Sequence, residues 1–250
     1  MKIAVISRTV ALARRARMRD YLNTSSHDWF FFDAAEGSTA SGLPLNPDAR
    51  RIRGRVLAKG EIGCFQSHWL LWQMLSRSAD DWICVIEDDV FLDPSFDFPA
   101  LIGRLKAANI HLIRLHFLFL AQHEILGRFG RRSIVRFKRS PFGTQAYLIS
   151  RQGASQLLQS ITEIKRPIDD EMDRFWEHRL PIVALFPFPT LELTEHTSIN
   201  TREISKDPLS IADIFFRRSE RSSDAAKRLM ANVALKSFDS RSRAIFKKIR

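Results

Sequence analysis

Trp82, Ile83, Cys84, Val85 and Ile86 form an unbroken apolar run that ends in three adjacent carboxylates, Glu87, Asp88 and Asp89. A short run of aromatic and β-branched side chains with no polar interruption predicts a strand buried on both faces of a sheet. The acids then fall at its carboxyl end, where open α/β sheets bind ligands in the crevice between the departing loops. Two carboxylates ~4 Å apart repel by roughly 1 kcal/mol in water and ~4 kcal/mol at an effective dielectric of 20, so three at a core edge call for a cation. A solvated acidic turn is the plainer reading, and the triplet alone does not separate the two.

At 250 residues the chain is long enough for one large α/β domain or a domain with an appendage. A net charge of +11 points to anionic partners, among them nucleic acid, acidic lipid, phosphorylated saccharide and nucleotide sugar. Cys64 and Cys84 show neither a CxxC nor a zinc-type spacing, which fits a reducing, cytoplasmic setting. Residues 2–6 are too short for a secretory core, and residues 110–121 are too short and too charged to span a bilayer as a helix.

Strand and helix patterns alternate from the start. Residues 2–6 predict a first strand, 9–22 an Arg-rich helix and 29–33 a second strand. From Glu61, the apolar residues Ile62, Phe65, Trp69, Trp72 and Leu75 recur at helical spacing, with His68 on the other side. His68 reads either as a satisfied structural residue or as one lining a site. Further helices are predicted over 98–108, 152–161 and from Pro167 to about residue 178, with strands over 111–115, 144–150 and 181–186. The basic stretch 122–139, with Gly127 and Gly130, reads as an irregular loop, either merely solvated or facing an anionic acceptor saccharide. This order predicts an α/β sandwich on a mostly parallel sheet. Beyond residue 204 the character turns basic, so we divide the chain into a domain over 1–204 and a helical extension over 205–250. That extension lies on an anionic membrane surface, packs on the domain's flank, or forms a flexible tail.

Five separated motifs accompany the acid triplet: the Arg14, Arg15 and Arg17 segment after the first strand, Phe32 to Gly37, Gly60 to His68, Gly143 to Ser150, and Pro167, Ile168, Asp169 and Asp170. Together they resemble glycosyltransferase family 25, the lipopolysaccharide and lipooligosaccharide galactosyltransferases and their collagen-modifying relatives, over roughly residues 1 to 200. The resemblance implies a GT-A-like nucleotide-diphospho-sugar transferase fold and an inverting, metal-assisted transfer of a hexose, most often galactose, from a UDP-sugar to a lipopolysaccharide-type acceptor. Ser7, Arg8, Arg15, Asp33, Ala34, Glu61, His68, Glu87, Asp88 and Thr144 would then surround the donor. Asp89 and Glu87, as the outer members of an acid-x-acid motif, would hold Mn2+ or Mg2+, with His196 from a late loop as a further ligand. A Glu stands where the wider fold has the first Asp. Asp169 would be the base that takes the acceptor's proton, with Asp170 second, although Asp169 also suits a helix N-cap. The implied setting is cytoplasmic, with a peripheral place on the inner membrane. Competing classes are a basic nucleic-acid- or membrane-binding protein without catalysis, a metal-dependent phosphoesterase and an inactive family member. Nucleic acid is disfavoured because most aromatics fall at core spacing.

Overall fold

The computed structural model describes residues 1–37, 42–93, 95–193 and 209–248. In chain order its elements are β1 (Lys2–Ser7), α1 (Leu12–Leu22), β2 (Trp29–Asp33), α2 (Ala49–Arg53), α3 (Lys59–Arg77), β3 (Trp82–Glu87), β4 (Val90–Leu92), α4 (Phe98–Ala107), β5 (Leu112–Arg114), β6 (His123–Phe129) and β7 (Arg132–Phe137). There follow β8 (Ala146–Ser150), α5 (Arg151–Ser160), α6 (Ile168–Met172), α7 (Phe175–His178), β9 (Val183–Phe186), β10 (Thr190–Glu192), α8 (Ile211–Ala234) and α9 (Lys236–Lys248). The main sheet has the order β2-β1-β3-β8-β5-β9-β7-β6, and β4 pairs with β10 in a small second sheet. Strands β2, β1, β3, β5, β9 and β6 share one direction, while β8 and β7 run against it. The α/β architecture with a largely unidirectional sheet is therefore the one expected. No helix among the described residues is long and apolar enough to cross a membrane.

The apolar run of residues 82–86 lies in the middle of this sheet and is buried throughout, because it packs on both faces. Cys84 and Ile86 join Ile3, Val5, Met18 and Leu101 on the face covered by α1 and α4. Ile83 and Val85 join Phe65, Trp72, Tyr147 and Leu157 on the face covered by α3 and α5. Alternation along a strand thus decides where the acids go: Glu87 follows Ile83 and Val85 toward α3, and Asp88 turns toward α1.

Helix α3 comes unusually close to the segment after β2. A Cβ added at Gly63 would stand 2.5 Å from the Ala35 carbonyl oxygen, so only glycine admits this approach. The Ser67 hydroxyl on the same helix accepts the Ala35 N–H at 2.8 Å, which fixes the loop against it.

Three expectations are corrected. Residues 122–139 are not an irregular loop but the β6–β7 hairpin, turning at Gly130 with φ 56°. Their charges hid the strand character of a segment that buries Leu126, Ile134, Val135 and Phe137. The helix expected from Pro167 to about residue 178 is broken into α6 and α7, because Asp173 turns its carboxylate to Arg114 (2.5 Å) and to the Phe142 N–H (2.8 Å). The basic extension is no flexible tail over residues 209–248: it forms α8 and α9, which pack on α2, α7 and the hairpin. Its buried anchors are Asp239, bonded through both carboxylate oxygens to Arg136 (2.5 and 2.8 Å), and Phe246, seated over Gly127.

Candidate active site

The carboxyl ends of β1, β2 and β3 and the start of β8 meet at one edge of the sheet. Asp88 is the best-held acid there. It accepts the Ser7 hydroxyl at 2.7 Å and Arg14 Nη1 at 2.8 Å. Asp89 has weaker company: Arg14 Nη1 stands 3.6 Å from its Oδ2, and its buried Oδ1 has no partner. Burial pushes the Asp89 carboxyl above its ordinary range, opposed by Arg14 and reinforced by Asp88 and Glu192.

Glu87 faces the other way. Its Oε1 accepts the Thr144 hydroxyl at 3.2 Å and lies 4.0 Å from His68 Nε2. Burial and then the charge of Asp89 push Glu87 up to about 8, although 31% of its side chain is open to the cleft. His68 is fully buried, its Nδ1 2.9 Å from the Tyr147 hydroxyl, which also accepts the Trp72 indole N–H at 3.0 Å. Burial pulls His68 down to about 3, so the imidazole is neutral, and its Nε2 is left without a partner. The ligating atoms of Cys64, His68 and Glu87 lie within 4.8 Å of one another. Burial, with Glu87 and Asp169 nearby, pushes the Cys64 thiol well up.

Basic residues form the rim. Arg15 donates to the carbonyls of Ser7 (2.9 Å) and Arg8 (3.1 Å) and pairs with Asp33 at the end of β2, while the Ala34 N–H bonds Ser7 O at 3.0 Å. The Arg8 side chain is exposed at the mouth. Ser7, Arg8, Arg15, Asp33, Ala34, Glu87, Asp88, Asp89, Thr144 and His68 thus lie together at this edge of the sheet. Glu61 is committed elsewhere: it takes Arg55 through both oxygens at 2.5 and 2.6 Å and caps α3 by accepting the Ala58 N–H. Asp169 lies in the first turn of α6 and accepts the Asp170 N–H at 2.9 Å, while Pro167 holds the N-cap position. Asp170 is paired with Arg53 at 3.2 Å. The His196 expectation lies outside the described residues.

Several neighbours escaped the sequence reading. Arg14, rather than Arg15, reaches the acids directly. His116 stacks on Phe188 with ring centroids 4.5 Å apart and stands 3.3 Å from Glu192. Arg114 and Asp173 form a fully buried pair beneath the cleft. An arginine inside the apolar stretch 110–121 was the available signal, since a buried guanidinium requires an acid.

Fit to a divalent cation can be judged from the donor set. Asp89 Oδ1 is buried and unpartnered, Glu87 is pushed up by burial and then by the charge of Asp89, and both offer oxygen. Oxygen donors with excess negative charge suit Mn2+ or Mg2+. Carboxylates and arginines thus stand together at the strand ends of an α/β sheet, where such sheets bind ligands.

The chain belongs to glycosyltransferase family 25, described as LPS biosynthesis proteins, whose model matches residues 1–172. Procollagen galactosyltransferase 1-A of Xenopus laevis is 31% identical over 173 residues, which cover 63% of this chain and 28% of that one. Lipooligosaccharide biosynthesis protein lic2B of Haemophilus influenzae is 28% identical over 169 residues, 64% of this chain and 63% of that one. The chain therefore spans less than two thirds of the length of these curated relatives. Among solved structures, A197 from STIV aligns at a TM-score of 0.44 and 12% identity over 78% of this chain and 85% of that one.

Proposed function

We propose that this chain transfers a hexose, galactose foremost, from a UDP-sugar to a lipopolysaccharide- or lipooligosaccharide-type saccharide with inversion. The observation that carries this reading is the under-compensated acid cluster at the end of β3, flanked by Arg14 and Arg15. The relatives' names supply the sugar and acceptor classes. Asp33 and Ala34 lie where the nucleoside end of a donor would rest, with the diphosphate toward Arg14 and Asp89.

In-line displacement forms a bond from the acceptor hydroxyl oxygen to the anomeric carbon as the bond from that carbon to UDP breaks. The hydroxyl proton goes to Asp169, which, like Glu87, lies near enough to Cys64 to raise the thiol's pKa and so borders the same cleft. Asp170, held by Arg53, instead anchors the start of α6. A cation held by Asp89 and Glu87 would supply positive charge to the departing diphosphate. Arg14 adds charge from the α1 side, and the fixed His68, Tyr147 and Trp72 chain keeps the wall behind Glu87 rigid.

The test is nucleotide release from UDP-galactose, UDP-glucose, UDP-GlcNAc, GDP-mannose and CMP-sialic acid, each with a truncated lipooligosaccharide and Mn2+. UDP-galactose should be consumed in an acceptor-dependent way, and Asp169→Asn should lose at least about a hundredfold in rate while still binding donor. Release from no donor contradicts the proposal.

A further inference from the structure

Helix α8 carries apolar side chains on its open side as well as on the side that packs on the domain. Asp213, Phe216, Glu220, Asp224, Ala231 and Leu235, spaced by three, four and seven residues, face the domain. There Asp213 pairs with Arg51 at 2.7 Å, Glu220 with Arg166 at 3.7 Å and Asp224 with Arg174 at 2.5 Å. The opposite register, Ile211, Phe215, Arg218, Ser222, Leu229 and Val233, faces out, with Ile211 74% exposed, Phe215 64%, Leu229 68% and Val233 56%. Amphipathic helices ordinarily bury their apolar stripe. Here three acids, half-buried in ion pairs, share the inward side with Phe216, Ala231 and Leu235, and a second apolar stripe is left open.

The charge is sorted in the same way. Asp213, Glu220, Asp224 and Asp239, the acids of α8 and α9 from residue 211 to 248, are all turned inward and paired with arginines. Arg218 and Arg221 on α8, and Lys236, Arg241 and Lys247 on α9, are exposed. The outward side of the two helices therefore combines apolar side chains with positive charge alone.

We infer that α8 docks, outward face down, on an anionic phospholipid bilayer. A narrow apolar stripe interrupted by Arg218 and Ser222 and flanked by arginines matches a helix lying in the headgroup region, where apolar side chains enter the acyl boundary and cations meet lipid phosphate. A second copy of the chain fits less well, since it would set like charges against each other. The orientation also has a consequence for the cleft. Arg51 ties α8 to α2, whose Arg53 holds Asp170 beside Asp169, so the docked helix brings this end of the cleft near the lipid surface. Vesicle binding is measured without any turnover, so its outcome is independent of the proposed transfer.

The experiment is flotation of the full chain with vesicles of phosphatidylcholine containing phosphatidylglycerol, and with phosphatidylcholine alone. Wild type should float with the anionic vesicles, less at high salt, and only weakly with the neutral ones. The variant F215S/L229S/V233S, changed only at exposed positions, should melt like wild type and lose at least about tenfold in partitioning. Arg218→Gln with Arg221→Gln should lose roughly thirtyfold on anionic vesicles. Equal flotation of all three proteins, no flotation of wild type, or a wild-type dimer in light scattering that the triple variant abolishes without any vesicle binding would overturn the inference.

Discussion

Two groups of acids in this chain differ in how completely they are neutralised. Around α8 and α9, Asp239 is gripped by both arms of Arg136, and Asp224 by Arg174 at 2.5 and 2.8 Å. At the end of β3, Asp88 and Asp89 share Arg14, Asp89 Oδ1 has no partner, and Glu87, on the opposite face, is pushed up to about 8. Charges that only hold a fold together are matched within it. Charges left unmatched at a cleft are available to a ligand. Arginine is abundant throughout the chain, so the imbalance reflects placement and not supply.

This contrast can be broken by removing one acid from each group. Asp239→Ala strands the buried Arg136 guanidinium and should cost about 3–5 kcal/mol in urea unfolding, while leaving donor binding by the folded fraction unchanged. A loss below about 1 kcal/mol would mean that the helices are only loosely attached. Gly63→Ala comes next. The added methyl would meet the Ala35 carbonyl at 2.5 Å, so stability should fall by about 1–3 kcal/mol and UDP affinity should fall with it as the segment after β2 shifts.

A pH titration sharpens the same comparison from a third place. His178 is buried and neutral, donating from Nε2 to the Met172 carbonyl (3.1 Å) and accepting the Leu180 N–H at Nδ1 (3.2 Å), and burial pulls it down to about 4. The native state then holds fewer protons than the unfolded chain between pH 6.5 and about 4. Stability from this group is complete above pH 6.5 and is lost as pH falls through that window, by about 2 kcal/mol between pH 7 and pH 5. His178→Gln should flatten that part of the curve in denaturation at several pH values. The smallest effect has the opposite sign. Asp89→Asn without metal should leave stability unchanged or raise it by up to about 1 kcal/mol, because its carboxyl is held above its ordinary range and the ionised form is disfavoured in the fold at neutral pH.

What could be read from the sequence followed the strength of its periodic signals. The central strand and α3 were plain, since residues 82–86 are uniformly apolar and residues 62–75 keep a helical period. The β6–β7 hairpin was hidden because Arg132, Arg136 and Lys138 interleave with the buried positions, and Arg136 is itself buried by a partner 103 residues away. The break between α6 and α7 depends on Arg114, equally remote in sequence. Within the site, the location of the triplet was legible. Its division was not recognised, although strand alternation alone sends Glu87 toward α3 and Asp88 toward α1. The membrane option for the extension rested on composition, whereas which face of α8 is open depends on ion pairs that no local pattern reveals.

The central claim is that the unmatched acids of β3 hold a cation together with a nucleotide sugar. It is tested most directly by the melting temperature of wild type and Asp89→Asn with UDP-galactose, with Mn2+, and with both. A ligand at a hundred times its dissociation constant stabilises a fold by about 2.7 kcal/mol, well within reach of a melt. Wild type should respond to the nucleotide sugar strongly only when Mn2+ is present, and Asp89→Asn should lose that synergy while melting normally alone. The same metal-dependent shift in Asp89→Asn, or no shift of wild type under any combination, would contradict it.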